Sequence, residues 1–279
     1  MIAAEVESPL VERLRRELAR GTGDLPVLGP AAQQALVLAR RPEIEVRDVV
    51  EVAESLAPFA ARLMAVANSA LYYRGVTISS LPLAVMRLGM QAVRDVIYQS
   101  VYSSALFDTP GYRDLVQTVF GHGAITAHVS RALGEQLRVD ADTAFLAGLL
   151  HDIGRARCLK LAARFAKSDV DRRIALAAID ELHGSAGAEL ASAWKLPDPV
   201  IEACARHHHP RPDDRWAGLV HVADRIAHAV EKASDESVDV MAADLAVSDA
   251  EAALASLGID PFELDRIADM ALSKAKAEG

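Results

Sequence analysis

The stretch FLAGLLHDIGRA, Phe145 to Ala156, carries an apolar helical run into an adjacent histidine and aspartate, His151 and Asp152. An imidazole beside a carboxylate can hold a divalent cation or move a proton. The plainer reading is a polar helix end, because a histidine at a helix C-terminus interacts favourably with the last carbonyls and the dipole. Successive helical positions point about 100° apart, so His151 and Asp152 reach one ion only with help from other elements. Helpers are available in His122 on the preceding helix, His183 at the start of HGSAGAELASAW, His207 and His208 at the end of the helix after Pro199, and Asp224 in HVADRIAH. His221, Asp224 and His228 share one helical face. His128, His209, His221 and His228 are read as ordinary helix positions, and Gly154 as the residue that closes the helix after Leu146, Leu149 and Leu150.

Mixed imidazole and carboxylate ligands suit Mn, Fe, Ni or Zn, whereas calcium and magnesium sites are built mainly from oxygens. Five histidines and two aspartates exceed what one tetrahedral site needs. If all converge, two metal ions with Asp152 as bridge are the economical arrangement, and such pairs activate water for attack on phosphorus.

The elements that must position these residues are helical. Leu10, Leu14 and Leu18 follow the Ser8-Pro9 start signal along one face, and Val46, Val49, Val50 and Ala53 repeat that pattern. Phe59, Leu63, Met64 and Val66 form the next stripe, and the Gly- and Ser-containing loop NSALYYRGVTISS breaks the periodicity. Leu83, Met86 and Leu88 resume it up to a stop at Gly89, and Val93, Val96 and Ile97 face inward in the helix after it. Asp198-Pro199 starts a helix, Ser248 with Glu251 has a capping-box pattern, and Asp260-Pro261 with Glu263 starts the last helix. With no sustained alternating strand pattern and no fixed-period repeat, the fold class is all-α.

A turn at Phe107 to Asp114 divides the chain into halves, and all nine histidines lie between His122 and His228. The expected organisation is a helical extension over 1–22, a helical subdomain over 23–112, a site-bearing helical subdomain over 113–232, and C-terminal helices over 233–279. A chain of 279 residues that is 51% hydrophobic can bury a large core. Its net charge of −9, without a Lys/Arg tract, argues against nucleic acid as a direct partner. Charges recur every few residues in MIAAEVESPLVERLRRELARG, so no signal peptide or anchor is expected there, and no later segment is apolar enough to span a bilayer. Cys158 and Cys204 have no CxxC-type partners, which disfavours disulfides and zinc fingers and points to the cytoplasm.

At these residues the sequence resembles the HD superfamily of metal-dependent phosphohydrolases, whose His…His-Asp…Asp pattern is matched by His122, His151-Asp152 and Asp224. It is most similar to the HDOD family, the HD-related output domain of bacterial signalling proteins. The resembling motifs are LPVLGPAAQQAL, ARLMAVANSALYY and ISSLPLAVMRLG in the first half, then FLAGLLHDIGRA, ELHGSAGAELASAWKLP and VIEACARHHHP, over about Leu25 to Asp224. The resemblance implies a helical N-terminal bundle packed on an HD-type helical domain, and a signal-transduction module without an assigned reaction that works with a signalling protein partner. It places His122, His151, Asp152, His183, His207, His208 and Asp224 on the ligand positions of the catalytic HD-GYP relatives. Departures from HD-GYP are Thr118 in place of an extra ligand glutamate, Arg155 in place of the lysine after HDIG, and the absence of a Gly-Tyr-Pro signature downstream of His183. Arginine is a poor proton donor but can grip a phosphate bidentately.

Three readings therefore stand side by side. One is a bacterial signalling protein with a retained metal site acting through protein interaction. Another is a metal-dependent phosphohydrolase on a nucleotide or cyclic dinucleotide, with Asp152 and Arg155 as the catalytic candidates and Arg155 or His208 on the phosphate. The third is a structural metal staple, or a polar cluster without metal.

Overall fold

The computed structural model describes residues 8–20, 28–106, 109, 111–234 and 240–278. Among these, the chain forms thirteen α-helices and one 3-10 turn, and no strand. The fold class is all-α. No described helix is long and apolar enough to cross a membrane. Two compact units are present, one of residues 1–25 and 108–272, the other of residues 26–107 and 273–279. The expected border at 22/23 and residues Phe107, Asp108 and Pro110 of the expected turn lie outside the described residues.

Helix α1 (Pro9–Ala19) opens the first unit, with Ser8 accepting from the Leu10 backbone and Val11, Leu14 and Leu18 buried. The second unit contains α2 (Pro30–Ala39), α3 (Val46–Ser55), α4 (Ala57–Ala67) and α5 (Leu81–Leu106), with α2, α3 and α4 each packing on α5. Gly89 interrupts α5 at φ 75°, a left-handed value that glycine adopts without strain, so the chain kinks there and resumes with Val93, Val96 and Ile97 buried. The expected inward positions of the preceding turns need correcting. Leu83 and Met86 are 46% and 60% exposed, while Ala84, Val85 and Leu88 are buried, because the helices packed on α5 cover the face that carries those three. The loop between α4 and α5 is stapled by Asn68, whose side chain donates to the Ile78 carbonyl (2.9 Å) and accepts from the Ile78 amide (2.7 Å).

The first unit continues with α6 (Arg113–Gln136), α7 (Ala141–Leu150), α8 (Ile153–Phe165), α9 (Asp169–Ala193), α10 (Asp198–Arg206) and α11 (Arg215–Ser234). Next come α12 (Val240–Ser256), the 3-10 turn Pro261–Glu263 and α13 (Leu264–Glu278), whose last residues belong to the other unit. Ser248 lies inside α12 and therefore starts no helix; the capping box is at Ser168 and Asp171, which open α9. Asp260 caps the 3-10 turn by accepting from Phe262. Around α7 are packed α6, α10 and α11, and α9 lies against α8 and α10. Two glycines permit these approaches. A Cβ on Gly148 would stand 2.7 Å from the Thr126 carbonyl oxygen of α6, and a Cβ on Gly154 would collide with the His183 carbonyl oxygen and come 2.5 Å from the Gly187 nitrogen of α9. Gly154 thus sits within α8 as a contact glycine; the expectation that it closes the preceding helix is corrected.

Candidate metal centre

The helical run ends at Leu150 and begins again at Ile153, and His151 and Asp152 occupy the break. An aspartate at an N-cap ordinarily accepts from the first amides of its own helix. Asp152 makes no such bond. Its Oδ2 accepts from Arg155 Nε at 2.7 Å, and its Oδ1 faces His183 Nε2 at 3.3 Å and His207 Nε2 at 3.4 Å. His151 Nε2 stands 3.8 Å from Asp152 Oδ2 and 3.7 Å from Asp224 Oδ1.

The orientation of the imidazoles is set by backbone left over at helix turns. His151 Nδ1 donates to the Gly148 carbonyl (2.7 Å), His183 Nδ1 to Ile179 (2.9 Å) and His207 Nδ1 to Ala203 (2.9 Å). A carbonyl only accepts, so each Nδ1 carries a proton and each ring turns its Nε2 inward. Those three Nε2 atoms and Asp152 Oδ1 are buried and have no hydrogen-bond partner. Buried polar atoms without partners call for a ligand or ion, and a histidine held through its second nitrogen is the usual arrangement at metals. The donor set therefore fits a divalent transition ion.

His122, on α6, sits at the other side of Asp224. Its Nε2 is 2.9 Å from Asp224 Oδ1, and its Nδ1 is 3.1 Å from both oxygens of Glu231. Burial disfavours its charged form, but the hydrogen bonds to Asp224 and Glu231 outweigh that and push its pKa up to about 10. Burial likewise opposes ionisation of Asp152, yet the neighbouring His151, His207 and Arg155 hold its carboxyl well below the usual range. Asp224 is depressed in the same way by His122 and His151, and Glu231 falls to about 2 through His122 and His228. Burial lowers His183, and burial together with His207 and His183 brings exposed His208 down to about 4, so both rings are neutral lone-pair donors at neutral pH.

Every sequence-predicted site residue lies in this one region. Asp152, His183, His207 and His208 form one group, and His122, His151 and Asp152 another, each with ligand atoms within 4.8 Å of one another. Asp152 belongs to both groups. Two residues that the sequence reading passed over also border the centre: His228, whose ring stacks on His122 at 4.5 Å, and Glu231. Asp224, His228 and Glu231 lie four and seven positions apart on one face of α11, and that spacing was the available signal. His221, by contrast, donates to the His207 carbonyl at 2.7 Å, and His128 packs edge-on against Phe145. Arg155 is engaged by Asp152 and, at 2.6 Å, by Asp180. Cys158 and Cys204 are buried free thiols, Cys204 donating to the Leu150 carbonyl beneath the centre.

Two clefts reach the centre from solvent. One, of about 660 Å³, is lined by Arg155, His183, His207, His208, Asp224 and Arg225 among others. The second, of about 400 Å³, meets His122, Asp152, Arg155 and Glu231 on one side and leucine, valine and isoleucine side chains on the other.

Fold and site together define an all-helical protein built around a buried His/Asp cluster. The chain belongs to the HDOD family, whose domain model matches residues 25–210, ending before Asp224. A candidate phosphohydrolase from Shewanella amazonensis superposes with a TM-score of 0.67 at 23% identity, covering 98% of this chain and 100% of that one. An HDOD domain protein of unknown function from Geobacter sulfurreducens gives a TM-score of 0.56 at 19% identity, over 92% of this chain and 97% of that one. A Treponema pallidum protein is 23% identical over 219 residues, 75% of this chain and 42% of that protein. Ribonuclease Y of Mycoplasma genitalium is 30% identical over 113 residues, 40% of this chain and 20% of the enzyme. The chain thus spans less than half the length of these two relatives.

Proposed function

We propose that this chain is a cytoplasmic signal-transducing HDOD protein that binds divalent transition metal and acts on a partner protein. In this reading His183, His207, His208 and Asp152 hold one ion, and His122, His151, Asp224 and the same Asp152 hold a second. The observation that carries it is the set of buried ligand atoms without hydrogen-bond partners: Nε2 of His151, His183 and His207 with Oδ1 of Asp152. Iron, manganese, nickel and zinc all suit that donor set. The test is elemental mass spectrometry on untagged protein beside Asp152→Ala. Near-stoichiometric metal in the parent, lost in the variant, is expected; a metal-free parent after purification and reconstitution with manganese, iron and zinc overturns the reading.

A second reading, hydrolysis of a phosphoester, is favoured by the two clefts that open the centre to solvent. Bound ions would supply Lewis acidity toward a phosphoryl oxygen. Arg155, already tied to Asp152 and Asp180, keeps the Asp152 carboxylate oriented and lines both clefts, where its remaining N–H groups would meet an anionic ligand. Relatives named ribonuclease and phosphohydrolase support phosphoester chemistry as a class. The net charge of −9 disfavours a polyanionic substrate such as RNA. Turnover of small phosphoesters by the metal-loaded parent that vanishes in Asp152→Asn would establish this reading, and no turnover in the metal-loaded parent would refute it.

A further inference from the structure

The smaller cleft is two-faced. Its polar side is the metal centre itself, with His122, Asp152, Arg155, His208, His228 and Glu231. Its other side is aliphatic, built by Leu115 and Val119 of α6, Leu159 of α8, and Leu176 and Ile179 of α9. Leu159 and Ile179 are buried at its base, but Leu115 and Leu176 stand 39% and 38% exposed at its mouth. Pockets that combine an apolar wall with a few convergent polar groups are the usual form of small-ligand sites.

We infer that this cleft receives the alcohol portion of a phosphate ester, and that this alcohol is apolar. The inference rests on the metal-centre reading above, because the phosphoryl group is placed by that centre and by Arg155. The wall selects among alcohols. Among the described residues no Phe, Tyr or Trp lines it, so a nucleobase would find no stacking platform there beyond imidazole. Among the described residues only Thr118 offers a hydroxyl outside the metal-centre side, so the hydrogen-bonding edge of a base would be left desolvated against leucine and valine. The carboxylates of Asp152, Asp180 and Glu231 in its lining oppose a second phosphate group. An aliphatic monoester meets all three conditions, whereas a cyclic dinucleotide meets none and a nucleoside monophosphate only the third.

The experiment is calorimetric titration of the full, manganese-loaded chain with methyl phosphate and with n-butyl phosphate, which carry the same headgroup. Each fully buried methylene raises affinity about fourfold, so three methylenes roughly half-buried in an open cleft give on the order of tenfold in favour of the butyl ester. Leu176→Asn, at an exposed position of that wall, lowers the ratio of butyl to methyl phosphate affinity, and an unchanged ratio overturns the inference. Equal affinity for the two esters overturns the inference and leaves the metal reading standing. Failure of both esters to bind a chain that elemental analysis shows to hold manganese also overturns the inference alone, whereas failure to hold manganese overturns both.

Discussion

Replacing Gly154 by alanine tests whether the centre depends on the contact of α8 with α9. A Cβ at this position would stand 2.5 Å from the Gly187 nitrogen and overlap the His183 carbonyl oxygen, both of them backbone atoms that cannot rotate away. Ordinary contact begins near 3.4 Å, so the Gly187 contact alone requires α9 to retreat by roughly 0.9 Å relative to α8, and the His183 carbonyl requires more. Overpacking of this kind costs about 1–3 kcal/mol, which corresponds to a fall in Tm of very roughly 2–12 °C for a unit of this size. The larger effect is on the site. His183 rides on α9 and Asp152 precedes α8, and their facing atoms are 3.3 Å apart. A shift of that size greatly exceeds the about 0.2 Å tolerance of a metal–ligand bond. Metal affinity should therefore fall by at least tenfold, measured by competition with a chelating dye, alongside a melting curve on metal-free protein. Gly218→Ala is the control. Its Cβ meets nothing within 4 Å in α11, and helix propensity there favours alanine by about 1 kcal/mol. A Gly154→Ala protein with parental Tm and parental metal affinity would refute the close-contact argument.

Glu231 accepts from His122 Nδ1 and so holds the ring with Nε2 toward Asp224; Glu231→Leu should weaken metal binding about 10–100-fold, while Glu231→Gln, which keeps an accepting oxygen, should recover most of the loss in the same dye assay. Equal losses in both variants would assign Glu231 a charge role instead of an orienting one. The metal-free protein should also show a stability maximum near pH 5–6.5. Asp152, Asp224 and Glu231 have folded-state pKa values below their unfolded ones, so the stability they contribute is present above about pH 4.5 and is lost as pH falls toward about 2. His122 is raised to about 10, so its contribution is complete below its unfolded value and is lost as pH rises through about 10. Urea midpoints across pH 3–10 that stay flat would contradict both assignments.

Much of this protein is determined locally and can be read directly from its residues. Helical periodicity made the all-α class plain, since stripes such as Leu14 and Leu18 or Phe59 and Leu63 have to be buried whatever surrounds them. Residue types that ligate metal, at His122, His151-Asp152, His183, His207-His208 and Asp224, marked the site because few other chemistries group imidazoles and carboxylates beside helix ends. What tertiary structure alone decided were the relations between elements. Leu83 and Met86 continue an apolar pattern but face water, because the facing helices determine which side of α5 is covered. Gly154 looks like a helix terminator along the chain and is a contact residue in space, since the atom it must avoid belongs to His183. Glu231 lies far from His122 in sequence, and its role emerges only when α6 and α11 pack together. The burial of four side-chain ligand atoms without hydrogen-bond partners is likewise a property of converging helix ends, because backbone carbonyls claim each Nδ1 locally while distant packing removes the water from each Nε2.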